Sequence, residues 1–366
     1  MSQNYRSRPD YFLLFIVAAL LSIGLLMVFS ASPTMAMRLG DSFYYLKRHL
    51  ISLAVGFVAL YLGSRIEMKY LKEWSVYIMW IGLFLLLAVF IPGAGMGAGG
   101  AHRWIYTGIF SFQPAEFAKL ALIIFLAKEL SAKPLMRAAL PALAAVLAFM
   151  LLIIKEPDVG TAIIIALVAF AVFYLAGVSL KSFIPVLIAG FLGFIALSVT
   201  SPYRMNRLLA FRDPWEDPRG TGFHIIQSLI AVGSGGLFGL GLGGSRQKFF
   251  YLPQNYTDFI FAILCEELGL IGALMVLFLF LVFIVRGIRI VRNAPDAFSM
   301  LLSGGIVSWI GLQAMMNLSV VLGVLPTTGI PLPFISYGGT SLAATLFGVG
   351  ILLNISRWIP PRGAKA

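Results

Sequence analysis

Uninterrupted apolar runs constrain this chain more than any other feature. Ten stretches, centred on residues 11 to 31, 49 to 64, 75 to 92, 114 to 130, 138 to 154, 159 to 177, 182 to 200, 258 to 285, 298 to 321 and 336 to 355, approach the roughly 20 apolar residues with which one helix crosses a bilayer. Only helices and closed barrels satisfy every backbone N–H and C=O in lipid, and continuous rather than alternating runs exclude the barrel. The expectation is an all-α polytopic membrane protein with ten transmembrane helices. Composition agrees: 60% of residues are hydrophobic and 11% charged, where a soluble domain carries about 25% charged residues. The longest connection spans 201–256 and nothing separates two cores, so residues 1–366 read as one integral membrane domain. The first run, after Arg6 and Arg8, is about twenty residues long, beyond the 7 to 15 of a signal-peptide core, and reads as an uncleaved first helix.

Orientation follows from Lys and Arg, which accumulate in short cytoplasmic connections. With the N-terminus inside, fifteen of the 27 basic residues fall on the cytoplasmic side, among them Arg65, Lys69, Lys72, Lys133, Arg137, Arg286, Arg289, Arg292 and Arg357. Six of the eleven opposite lie in the 201–256 loop, and long loops translocate largely regardless of charge. Both termini are therefore expected in the cytoplasm, with the long loop between helices 7 and 8 outside. The net charge of +12 is mostly this signal and does not point to nucleic acid. A single cysteine, Cys265, allows no intramolecular disulfide. His49, His102 and His224 form no His-Glu-x-x-His pattern, which argues against structural zinc, and the absence of a Walker lysine motif argues against a nucleotide.

Acids in or near hydrocarbon mark chemistry or tight packing, because burying an ionised carboxylate costs about 3 kcal/mol or more. Asp258 stands at the mouth of the eighth helix in Asn255-Tyr256-Thr257-Asp258, where helix capping competes with catalysis. Glu266 and Glu267 follow about 12 Å deeper at about 1.5 Å per residue, as cavity or packing acids. Glu116 and Lys119, spaced i, i+3, share one face of the fourth helix and suit an internal ion pair that fixes packing or lines a cavity. Asp158 begins the sixth helix after Lys155-Glu156-Pro157, where a cap is favoured.

The long loop carries Arg204 and Arg207 one helical turn apart, suited to gripping a diphosphate or a lipid headgroup. It continues through Gly233-Ser234-Gly235-Gly236 and Gly239 to Gly244. The latter formally matches GxGxxG, but no strand precedes it, so its glycines suggest a flexible loop whose N–H groups face an anion. No interrupted helices in matching positions signal an inverted-repeat transporter.

Gln113-Pro114-Ala115-Glu116, Pro157-Asp158-Val159-Gly160-Thr161, Gln227-Ser228, Gly233 to Gly236, Tyr251-Leu252-Pro253, Thr257-Asp258-Phe259-Ile260-Phe261-Ala262, Glu266-Glu267-Leu268-Gly269 and Ile335-Ser336-Tyr337-Gly338-Gly339 together resemble the SEDS family of bacterial shape, elongation, division and sporulation proteins. The resemblance covers nearly the whole chain. Asp213-Pro214-Trp215-Glu216-Asp217-Pro218, Gly241-Leu242-Gly243, Ser245-Arg246-Gln247-Lys248 and Thr340-Ser341 resemble the division branch, while His224-Ile225-Ile226-Gln227-Ser228 is also seen in the elongation branch.

That resemblance implies a peptidoglycan glycosyltransferase of the bacterial cytoplasmic membrane, at the division septum, which polymerises lipid II on the outer face. Its implied partners are a class B penicillin-binding protein that crosslinks the strands and other divisome membrane proteins. Asp258 matches the family's essential aspartate, as base or organiser of the acceptor hydroxyl. Arg204, Arg207, Arg246 and Lys248 are candidate diphosphate contacts, with Gln227 and Ser228 as further substrate-side candidates. Glu116 with Lys119 matches the family's cavity ion pair, and a divalent cation, Mg²⁺ or Mn²⁺, would suit the leaving group. Tyr256 departs from the family's usual His. A lipid II flippase, an elongation-type polymerase and a non-catalytic divisome scaffold remain as alternatives.

Overall fold

In the computed structural model, residues 8–37, 40–91, 95–98, 101–106, 111–185, 188, 190, 193, 202–249 and 252–358 are described. Long helices dominate: α1 (Tyr11–Ala31), α2 (Tyr44–Arg65), α3 (Met68–Ala88), α4 (Pro114–Ala132), α5 (Leu135–Lys155), α6 (Val159–Leu175), α7 (Pro202–Arg212), α8 (Phe223–Ser234), α9 (Ile260–Arg292), α10 (Ala297–Val321) and α11 (Gly339–Ser356). Seven of them, α1, α2, α3, α5, α9, α10 and α11, are long and apolar enough to cross a membrane. Helices α4 and α6 occupy two more expected spans. The first carries Glu116, Lys119, Lys128 and Glu129 within its 19 residues, and the second is only 17 residues long. Most of the expected span at 182–200 lies outside the described residues.

The chain is not purely helical, because Gly95–Ala98 (β1), Ala101–Tyr106 (β2) and Ser111–Phe112 (β3) form a small antiparallel sheet in the order β1-β2-β3. Hydropathy does not reveal it, since strands this short lie between apolar runs and are defined by their pairing.

Helix α10 is the hub. Most of its apolar stretch (78%) is buried, against 22% for α2, so α2 turns most of its surface outward while α10 packs on α5's neighbour α4, on α6 and on α9. Helix α11 lies along α2 so closely that a Cβ on Gly350 would meet the Leu60 carbonyl at 2.3 Å. This is the small-residue contact by which helices approach in lipid.

One span departs from expectation. Helix α9 is interrupted at Gly269 (φ 64°, ψ −164°), and the glycine-rich segment fills the break. Leu240 and Gly241 N–H donate to the Glu266 and Glu267 carbonyls at 2.9 and 3.0 Å, and Leu270 and Ile271 N–H donate to Gly236 and Leu237 at 2.9 and 3.2 Å. A Cβ on Gly239 would lie 2.1 Å from the Glu267 carbonyl, so glycine is required for this approach. The segment is thus backbone-paired rather than flexible, and these N–H groups serve Glu266 and Glu267, not an anion.

A candidate active site around Asp258

The turn before α9 carries Asp258. The capping position of α9 is Phe259, which makes no side-chain capping bond, and Asp258 stands one residue before it. The main chain around it is pinned at three successive carbonyls. Ser336 Oγ donates to the Thr257 carbonyl (2.6 Å), Asn317 Nδ2 to the Asp258 carbonyl (2.7 Å), and Tyr337 N–H to the Tyr256 carbonyl (3.0 Å). None of these bonds uses the Asp258 carboxylate.

Arg103, on β2, comes to the same place. Its Nη1 and the Asp258 Oδ2 lie 3.9 and 3.7 Å from the point where a Cβ on Gly329 would sit, and Gly329 itself adopts a left-handed φ of 76°. The guanidinium is held by the turn between α5 and α6: Nε donates to the Glu156 carbonyl at 3.2 Å and Nη2 to the Pro157 carbonyl. Sequence reading passed over Arg103, whose one signal was a cation next to Trp104 in the segment 93–114.

Tyr256 joins an aromatic cluster with Tyr45 (ring centroids 4.6 Å apart) and Tyr337 (5.6 Å). Burial pushes the hydroxyls of both Tyr256 and Tyr337 above their usual value. Both therefore stay neutral, and the nearby Asp258 charge adds to the effect on Tyr256.

Asp158 caps α6, accepting from Thr161 N–H at 3.1 Å and Thr161 Oγ1 at 2.9 Å. Glu156 differs: it is 1% exposed, and neither carboxylate oxygen has a hydrogen-bond partner among the described residues. Burial, and then the Asp158 charge, push its carboxyl up to about 8, with Arg103 opposing. The folded state therefore keeps a proton that the unfolded chain releases above about 4.5, and stability is lost as pH rises from about 4.5 through about 8. Melting across pH 5 to 8.5 is expected to show wild type losing thermal stability with pH while Glu156→Gln stays flatter; parallel curves would refute it.

Deeper in the bundle, Lys119 Nζ binds Glu116 Oε1 at 2.8 Å with both side chains buried, as the i, i+3 spacing predicted. The chemistry expected of Lys248 is not what the fold builds. Its ammonium is buried and bonded to Glu267 Oε1 (3.1 Å) and the Gly243 carbonyl (2.7 Å), so it ties the loop to the α9 break instead of facing a diphosphate. Glu267 also accepts from Ser30 Oγ at 2.7 Å, and Glu266 accepts from Ser245 Oγ and from Arg246 N–H at 2.9 Å. The two acids are thus packing acids of the interrupted helix.

Ser228 is fully buried and donates to the Val321 carbonyl at 2.8 Å, whereas Gln227 is half-buried and the Arg246 side chain exposed. Arg204 and Arg207 lie on α7, with their side chains outside the described set. Asp217 spends its carboxylate on a turn, accepting from Gly220 and Thr221 N–H at 3.0 and 2.8 Å.

The family described as cell cycle protein, which groups FtsW, RodA and SpoVE, matches residues 11–359. Stage V sporulation protein E of Bacillus subtilis is 47% identical over 359 residues, 96% of this chain and 98% of that one. The probable peptidoglycan glycosyltransferase FtsW of Geobacter sulfurreducens is 43% identical over 357 residues, 95% of each chain. Among solved structures, a chain of a peptidoglycan synthase complex that coordinates polymerization and crosslinking superposes with a TM-score of 0.79 at 33% identity, covering 95% of this chain and 98% of that one. The rod shape determining protein RodA of Thermus thermophilus gives 0.71 at 30%, covering 95% and 97%.

Proposed function

The chain belongs to this FtsW, RodA and SpoVE family of multi-pass membrane proteins, and from that premise we propose that it is a peptidoglycan glycosyltransferase polymerising lipid II for septal wall synthesis in division. The observation that carries the reading is Asp258. It is a carboxylate on a pinned, non-helical turn, and the Arg103 guanidinium approaches the same Gly329 position. In our reading the bundle has ten spans, both termini are cytoplasmic, and loop 201–256 and the Asp258 turn face outward, where lipid-linked sugars are consumed.

In the reaction a sugar hydroxyl attacks the anomeric carbon of a lipid-linked sugar. The hydroxyl proton passes to the Asp258 carboxylate, the new glycosidic C–O bond forms, and the bond to the diphosphate breaks with its electron pair leaving on undecaprenyl diphosphate. A positioned base contributes about 10² to 10⁴ in rate, and a cation aimed at developing phosphate charge adds electrostatic stabilisation. Arg103, whose guanidinium shares the surroundings of Gly329 with the Asp258 carboxylate, takes that second role. Arg103→Ala is expected to lower kcat by about 10²- to 10³-fold, in line with the loss of one fixed transition-state contact; unchanged turnover would remove it from the site. Arg204, Arg207 and Arg246 remain proposed lipid or diphosphate contacts. Among the described residues no group of three His, Cys, Asp or Glu side chains converges; a divalent cation held largely by diphosphate oxygens would need only one or two protein carboxylates.

The likeness to a chain of a polymerising and crosslinking complex supports a class B penicillin-binding protein as partner, alongside other divisome membrane proteins. Relatives named FtsW support a division role. The match to stage V sporulation protein E is as extensive, and which transpeptidase co-purifies discriminates the branches. The test is reconstitution of the protein with that partner, lipid II and a divalent cation, the transpeptidase being blocked. Polymer from wild type upholds the reading. Absence of polymer, with translocation of labelled lipid II in liposomes, moves it to a flippase; absence of both leaves a scaffold.

A further inference from the structure

Asn317 lies near the end of α10 and is 1% exposed. Its Nδ2 donates to two main-chain carbonyls, those of Asp258 at 2.7 Å and Ile330 at 2.8 Å. Carbonyl oxygens only accept, so the group that meets them must be the NH₂, and both of its hydrogens are engaged. One turn earlier on the same helix face, Gln313 Nε2 donates to the Pro331 carbonyl at 3.0 Å. Gln313 Oε1 accepts from Lys119 Nζ at 2.7 Å and from Trp309 Nε1 at 2.9 Å, and Lys119 is bonded to Glu116 at 2.8 Å. The carbonyls of 330 and 331 are thus taken by successive carboxamides of α10. The Glu116–Lys119 pair is linked through Gln313, the 330–331 backbone and Asn317 to the turn that carries Asp258.

Burying a carboxamide is unfavourable unless its polar atoms are bonded. Asn317 Oδ1 has no partner among the described residues, so this amide is a costly choice where an aliphatic side chain would pack. What it supplies is a pair of donors that lock the Asp258 main chain to the hub helix.

We propose that Asn317 is a positioning residue for the reaction: by clamping the carbonyls of Asp258 and Ile330 to α10 it sets where the Asp258 carboxylate stands, and it joins the buried Glu116–Lys119 pair to that setting. The inference rests on the polymerase reading. It also predicts a local tether that can be measured without turnover.

The variants are Asn317→Leu, of similar size with no donor, and Asn317→Gln, which keeps the donors on a longer arm. A displacement of about 1 Å at a catalytic group costs about 100-fold in rate, so kcat for lipid II polymerisation is expected to fall about 30-fold or more in Asn317→Leu. KM should stay within about threefold, with thermal stability and partner binding retained, and Asn317→Gln should recover part of the rate. Amides of 254–262 should exchange hydrogen faster in Asn317→Leu than in wild type. A folded Asn317→Leu with kcat within threefold of wild type overturns the proposal, as does a loss expressed wholly in KM, or unchanged exchange at 254–262. Should Asn317→Leu not fold, isosteric Asn317→Asp carries the same readings. Absence of polymer from wild type would count against the polymerase reading instead, and the exchange comparison would still decide the tether.

Discussion

Asp258→Ala and Asp258→Asn are expected to lose lipid II polymerisation by about 10³-fold or more, the middle to upper part of what a positioned general base supplies. The fold is expected to survive, because the bonds that hold the turn run through main-chain carbonyls and the Ser336, Asn317 and Tyr337 donors, none of which the substitution removes. Asp258→Asn is the sharper variant, since it keeps shape and hydrogen-bonding capacity while removing the base. Asp258→Glu keeps the base but moves it by one methylene, and reacting atoms held about 1 Å out of place cost about 100-fold. A graded series, with Glu above Asn and Ala, identifies a base whose position matters. The assay is glycan polymer resolved by gel from the complex with its transpeptidase blocked; polymer equal to wild type from Asp258→Asn would remove Asp258 from the chemistry.

The second large effect is on stability. Lys248→Met takes from the fully buried Glu267 the ammonium it is paired with, and Glu267→Ala takes from Lys248 that carboxylate. Removing one member of a buried pair costs about 3 to 5 kcal/mol, because an uncompensated charge stays inside. The double variant Lys248→Met with Glu267→Leu is expected to be closer to wild type than either single change, since apolar replacement of a whole buried pair is often neutral. Thermal melts in detergent, with protease cleavage of 235–249 as a local readout, give the comparison. Additive losses would mean that the two residues stabilise the protein independently. Glu267→Ala should also loosen the break in α9, because Ser245 N–H, Ser30 and Lys248 all converge on that carboxylate.

Much of the architecture was legible because hydropathy is summed residue by residue along the chain. The helices at Tyr11–Ala31, Pro114–Ala132 and Gly339–Ser356 stand where apolar runs were read. The Glu116–Lys119 pair was legible for a related reason, its spacing being local to one helix. Lys248 was misassigned because its partner, Glu267, lies nineteen residues on, and a lone lysine in a loop looks the same whether it faces solvent or a buried acid. The break at Gly269 was missed because an apolar run shows no sign of interruption when the intruding backbone comes from 236–241.

The sequence by itself determined that this is a helical membrane protein and which family it resembles, and it singled out Asp258 as the first candidate acid, since burial in lipid makes each charge expensive wherever it falls. Only the tertiary structure decided which charges are committed to holding the fold and which residues surround Asp258. Arg103, Asn317 and Gly329 reach that turn from β2, α10 and the segment before α11. Their meeting depends on packing between elements far apart in the chain, which no local pattern of residues records.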